Sequence, residues 1–148
     1  MSDTKRLEDA EPSVQLTFRV IEADGAPTSD PAIADVEAAL RRLFRFRGYR
    51  LVAEGVVAGV EGSAINQMLG GAGGPYYLEM EVRQIRALVD STVQLQVRLS
   101  LPRAPGTLQT VVSLPVGKTA VLGNARSEPK GGTLILTVRP EFAGRAAP

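Results

Sequence analysis

From Thr92 to Leu101 the chain alternates without a break: Val93, Leu95, Val97, Leu99 and Leu101 are apolar, while Gln94, Gln96, Arg98 and Ser100 are polar. On an extended backbone successive side chains point to opposite faces, so this spacing gathers every apolar group on one side and does not fit the 3.6-residue period of a helix. A strand of this kind needs another apolar surface to cover it, and the sequence offers several. Between Tyr76 and Ile85, Leu78, Met80 and Val82 alternate with Glu79, Glu81 and Arg83, and Asp90-Ser91 leaves room for an antiparallel hairpin to the next strand. Leu108–Leu114, Thr119–Leu122 and Thr133–Val138 read as further strands, with turns at Pro115–Lys118 and around Pro129–Gly132. Consecutive short strands joined by tight turns predict a mostly antiparallel sheet.

The N-terminal half has a different rhythm. Val14-Gln15-Leu16-Thr17-Phe18-Arg19-Val20 alternates like a strand with one buried face. After the turn formers Asp24–Ser29, Asp30-Pro31 marks a helix start, with an N-cap acceptor followed by a residue of preset φ. Ile33, Val36, Leu40, Leu43 and Phe44 then recur at offsets of three and four, while Asp35, Ala38, Arg42 and Arg45 fall on the opposite side. The pattern predicts an amphipathic helix ending near Phe46, stopped by Gly48, and a second strand over Tyr49–Val57. The fold class expected is α+β: one amphipathic helix packed on a mostly antiparallel sheet of five to seven strands.

A chain of 148 residues and 15.7 kDa suits one domain, and 44% hydrophobic with 22% charged residues places it among globular proteins rather than disordered or fibrous ones. The domain is expected over residues 13–142, as a strand–helix–strand unit at 13–60, a Gly-rich flexible connection at 61–75 and antiparallel strands at 76–142. Residues 1–12 and 143–148 read as disordered tails. The absence of His, Cys and Trp removes imidazole as a general base and every Cys/His metal, haem or iron–sulfur set. Met1–Ser13 holds four acids, two bases and no apolar run, so as written the chain reads as cytoplasmic, without a signal peptide. The uncharged stretch Gly62–Leu78 is broken by four glycines and a proline between Gly70 and Pro75 as well as polar at Ser63, Asn66 and Gln67, so no transmembrane insertion is expected from it.

Three short patterns invite a chemical reading. Gly117-Lys118-Thr119 has the ending of a phosphate loop, but the Gly required five residues earlier is Val112, and a strand rather than a helix follows. The segment is read instead as the turn of a hairpin joining Leu108–Leu114 to Thr119–Leu122, with Pro115 presetting φ and Gly117 taking a positive φ. The glycines Gly70–Gly74 lack the register of a dinucleotide loop and read as a floppy connection. Glu79 and Glu81 share a strand face with Arg83, which fits a solvated outer face better than a carboxylate pair in acid–base work. No catalytic residue, cofactor or metal site is assigned, and the chain is expected not to be an enzyme.

Net charge is +1, yet residues 41–50 hold five arginines and no acid. Arg41, Arg42, Arg45, Arg47 and Arg50, interleaved with Phe44, Phe46 and Tyr49, form the pattern of a nucleic-acid or polyanion surface, where guanidinium groups pair phosphates and rings stack on bases. A structural account competes and is preferred: acids at Asp30, Asp35 and Glu37 with arginines at the far end suit the helix dipole, and Glu37–Arg41 is an i,i+4 pair.

The C-terminal third, Thr107–Gly123 followed by Gly132–Phe142, resembles the conserved end of bacterial secretins, the ring-forming channels of secretion and pilus systems. A strand, a turn with glycine before Lys118-Thr119, the Val121-Leu122-Gly123 strand end and a final Leu134-Ile135-Leu136 strand follow in that family's order. The likeness covers about 92–142, and the strand–helix–strand unit at 14–60 more loosely resembles the family's small ring modules. Only Asn124–Gly131 stand where secretins carry the membrane-crossing hairpins, so the resemblance implies a module that does not build a pore by itself. It further implies a protein partner, either a second copy or an envelope component of a secretion or pilus system. The compartment would then be periplasmic or envelope-associated if the start is trimmed or misplaced. The favoured function is a non-enzymatic assembly module acting through sheet edges; the alternative is polyanion or nucleic-acid binding through the five arginines.

Overall fold

The computed structural model describes residues 12–27, 29–70, 75–87, 90–100, 107–127 and 132–143. The expected tails lie almost wholly outside these residues, as do Gly71–Gly74 and the turn at Pro129–Gly131. Along β1 (Ser13–Asp24) the alternating residues Val14, Leu16, Phe18 and Val20 are fully buried. A single turn of 3-10 helix (Pro31–Ile33) leads into α1 (Ala34–Leu43), and β2 (Gly48–Val60) returns antiparallel to β1. Then follow β3 (Ala64–Leu69), β4 (Tyr76–Arg86), β5 (Thr92–Ser100), β6 (Thr107–Pro115), β7 (Ala120–Ser127) and β8 (Gly132–Ala143).

The strands form two four-stranded antiparallel sheets, one ordered β2-β1-β8-β7 and the other β3-β4-β5-β6. One core lies between them, where Leu16, Phe18, Leu136 and Val138 of the first sheet meet Leu78, Val82, Leu95 and Val97 of the second. Burying each of these side chains contributes about 1.5–3 kcal/mol. A smaller core covers the far side of the first sheet: Ile33, Val36 and Leu40 pack on Ile21, Ala23, Tyr49 and Ile135. The layers therefore run helix, sheet, sheet, which is α+β with one helix. Because the helix covers Ile21 and Ala23, β1 is buried on both faces in its second half and extends four residues past the predicted Val20.

Four expectations need correction. In place of the single sheet of five to seven strands, the described residues form eight strands in two sheets. The connection at 61–75 contains β3, which pairs with β4 from Ala64↔Glu81 to Leu69↔Tyr76; Ile65 and Leu69 join the core, so packing overrides the weak local pattern. The helix stops at Leu43, not Phe46, because Phe44 turns to extended backbone at φ −128° and ψ 160°. In that conformation Phe44 and Phe46 both pack on the smaller core while Arg45 between them is exposed, and Leu43, counted on the apolar stripe, is 62% exposed. Finally, Leu108–Leu114 and Thr119–Leu122 are not a hairpin. β6 pairs with β5 and β7 with β8, so Pro115–Gly117 carries the chain from one sheet to the other.

That crossing is pinned from both sides. Val116 N donates to Ser91 O at 3.0 Å, and Gly117 N donates to Pro140 O at 2.6 Å. Gly117 has φ +94°, the positive value expected of it. Pro140 lies opposite Leu16 of β1, but its carbonyl is taken by Gly117 N on the other side, where the β7 ladder has ended at Val138, so its missing N–H falls on the side without a ladder partner. The hairpin between β4 and β5 forms as expected, with Asp90 at φ 47° in its turn.

Candidate interaction surfaces

The five arginines divide into two groups. Arg41 binds Glu37 at 2.8 Å, and its guanidinium lies 5.1 Å from the Tyr49 ring centroid. Arg50 is held by Glu22 and by Asp24 at 3.4 Å. These two are structural. Arg42, Arg45 and Arg47 are exposed, with no ion pair among the described residues, beside exposed Leu43. The rings do not accompany them outward. Tyr49 is fully buried and its hydroxyl donates to Leu40 O at 3.4 Å and Phe44 O at 3.3 Å, serving the carbonyls at the end of α1. Phe46 meets Tyr49 edge to face at 6.4 Å. The stacking half of the nucleic-acid pattern is thus turned into the core.

The two edges of the sandwich, β2/β3 and β6/β7, gather the other features of the surface. At the first, Glu61–Ser63 joins β2 to β3. Gly62 N donates to Val82 O at 2.7 Å, and Val82 N donates back to Ser63 O at 2.9 Å, at the point where β4 carries an extra residue. A Cβ at Gly55 would overlap Leu69 Cδ2, so β2 and β3 approach closely there. Val56 and Met68, the chain neighbours of that contact, are 50% and 57% exposed, and Tyr77, opposite Met68, is 50% exposed. The centre of the second sheet's outer face is polar: Arg98 faces Glu79 at 3.9 Å and Arg83 lies 3.9 Å from Glu81, the solvated face expected of them.

Along the second edge Gly123 of β7 lies under Leu108 of β6, and a gap of about 160 Å3 opens between the sheets beside Val97, Leu122 and Leu136. Val111 on β6 is 51% exposed. Sequence reasoning missed these four exposed apolar residues, as it did Leu43. Val56-Val57 and Val111-Val112 are apolar at adjacent positions, so alternation does not say which of each pair faces out, and Met68 fell in the presumed connection. Among the described residues no group of three or more acids is placed to share a metal ion, and no helix is long and apolar enough to cross a membrane.

No protein-family model and no curated protein matches the chain. Solved structures that resemble it include two secretin chains. The secretin GspD of the type II secretion system in E. coli K12 superposes with a TM-score of 0.54 at 11% identity, over 95% of this chain and 52% of that one. The secretin-domain β-barrel of InvG, from the Salmonella SPI-1 injectisome NC-base, gives 0.48 at 11% identity, over 95% of this chain and 66% of that one. The chain thus spans about half the length of the GspD chain. The first likeness shows a secretin-like fold.

Proposed function

We propose that this secretin-like fold serves as a non-enzymatic assembly module that joins copies of itself edge to edge. The observation that carries the reading is the placement of the exposed apolar residues. Met68 and Tyr77 lie opposite each other on the outer face of the second sheet at its β3 edge, Val56 lies on β2, the edge strand of the first sheet on the same side, and Val111 lies on β6, at the opposite edge of the sandwich. Two different patches on opposite edges make a head-to-tail contact, which closes into a ring when the rotation between copies allows it. The likeness to a secretin supports the reading at the level of fold.

Sedimentation velocity over a wide concentration range tests this. The wild type is expected to associate as concentration rises, and the double variant Met68→Lys/Tyr77→Lys and the single variant Val111→Lys are each expected to remain monomeric. Mixed in equal amounts, the two variants should form a dimer and nothing larger, since each retains one intact patch. A wild type that stays monomeric at every concentration would sink the proposal. Were that monomer also retained on a phosphate-bearing matrix in low salt, and released by Arg42→Glu/Arg45→Glu, polyanion binding would replace it.

A further inference from the structure

Alongside α1, the outer face of the first sheet is not filled to its edge. A cleft of about 250 Å3 lies between the helix and strands β7 and β8. Val36, Ala39 and Leu40 of α1 and Val121 of β7 form its apolar wall. Its polar end brings together Lys118 and Thr119, from the segment that resembled a phosphate loop, with Thr137 and Arg139 of β8. Thr137 is only 1% exposed, and its Oγ1 has no hydrogen-bond partner among the described residues. A buried hydroxyl in that condition has lost water and gained nothing in exchange, so a bound acceptor would complete it.

Charge narrows the class of ligand. Asp35, at the helix side of the cleft, is engaged by Arg19 at 3.0 Å, and Arg19 also reaches Glu54 at 3.2 Å. Arg139 lies 3.3 Å from Glu141. Lys118 is the cation lining the cleft that has no ion pair among the described residues. One uncompensated positive charge beside an aspartate suits a monoanion and opposes a dianionic phosphate. The volume lies below the roughly 300–1,000 Å3 of sites for drug-sized ligands, which restricts the body to a few carbons.

We propose that this cleft binds an aliphatic carboxylate. Its oxygens accept from the Thr137 hydroxyl and pair with the Lys118 ammonium, and a short branched chain lies on Val36, Ala39, Leu40 and Val121. Such a group occurs as a free branched-chain acid or as the C-terminal Leu or Val of a polypeptide. The proposal is independent of self-association.

The test is an NMR titration of the whole chain with sodium 4-methylpentanoate. Saturable shifts are expected at Lys118, Thr119, Val121 and Thr137, with 4-methylpentanamide binding at least tenfold more weakly. Thr137→Val and Lys118→Gln should each weaken binding at least tenfold, and Thr137→Val should melt no lower than the wild type, since it removes an unpaired hydroxyl. Ala39→Leu, which fills the cleft from the helix side, should abolish binding should Thr137→Val fail to fold. A hexapeptide ending in leucine with a free carboxylate separates the two sources: tighter binding than the free acid assigns a polypeptide terminus, weaker binding the small acid. Shifts that never saturate, equal affinity for the amide, tighter binding of inorganic phosphate, or unchanged affinity in Thr137→Val and Lys118→Gln would each overturn the proposal.

Discussion

Asp30 does two jobs with one carboxylate. Its Oδ1 accepts from Ala32 N at 2.9 Å, opening the helical segment, and its Oδ2 accepts from Leu51 N at 2.9 Å, tying that segment to β2. The bond from Leu51, and then that from Ala32, holds the carboxyl below its ordinary value of 3.8. A depressed folded value means stability that is present above 3.8 and is lost as the pH falls through the folded value. Asp30→Ala is therefore expected to cost about 1 kcal/mol at neutral pH, typical of a lost N-cap, and to show a smaller loss of stability than the wild type on acidification from pH 5 to pH 2, in urea unfolding at each pH. Gly117 makes a second residue-scale case. A Cβ there would meet nothing within 4 Å, so only the backbone φ of +94° opposes a side chain. Gly117→Val should destabilise by about 1–2 kcal/mol, whereas Lys118→Ala should leave the unfolding midpoint unchanged. Equal midpoints for Gly117→Val and the wild type would mean that the crossing tolerates an L-residue.

Among the elements, β3 illustrates stability borrowed from packing. It is short, lies at a sheet edge and is anchored by Leu69, which is 1% exposed, against Gly55 of β2. A larger side chain at Gly55 has to displace Leu69 from the core. Gly55→Val should cost about 1–3 kcal/mol, the usual range for overpacking, and should raise amide exchange selectively at Ile65–Leu69. Uniformly faster exchange over both sheets would show instead that this corner does not act locally. At the start of β2, local signals met a competing demand. Gly48 marks a helix end in sequence, yet it is the first residue of β2, opposite Asp24, because Arg47 N donates to Asp24 O at 3.0 Å and fixes the entry of the strand.

Over the whole molecule the strands follow one another around the sandwich in order, and the first and last of them meet where β1 pairs with β8 from Ser13↔Ala143 to Ala23↔Thr133. These two strands are central in their sheet and lie between the helix and the second sheet. Val20, Ile21, Ile135 and Leu136, all 0–1% exposed, should be the slowest amides to exchange, with β3 and β7 faster. Hydrogen exchange followed by NMR reads this directly. A slow core confined to β4 and β5 would mean that the second sheet folds without the first.

Faces were legible in the residues, because period-two alternation is a property of neighbouring positions: Val93, Leu95, Val97 and Leu99 are all buried as their spacing predicts, and Val14, Leu16, Phe18 and Val20 likewise. Asp30 as a cap and Gly117 at positive φ are equally local, as is the ion pair of Glu37 with Arg41. The choice of partner is not local. Nothing between Leu108 and Leu122 says that β6 and β7 belong to different sheets, since a turn with proline and glycine serves a hairpin and a crossing alike. The second buried face of β1, the burial of Thr137 and the inward turn of Phe46 all depend on where α1 lies, a placement set by contacts far apart along the chain. Alternation assigns a side chain to a face; what covers that face is settled by long-range packing, whose cooperative free energy no short window of sequence contains.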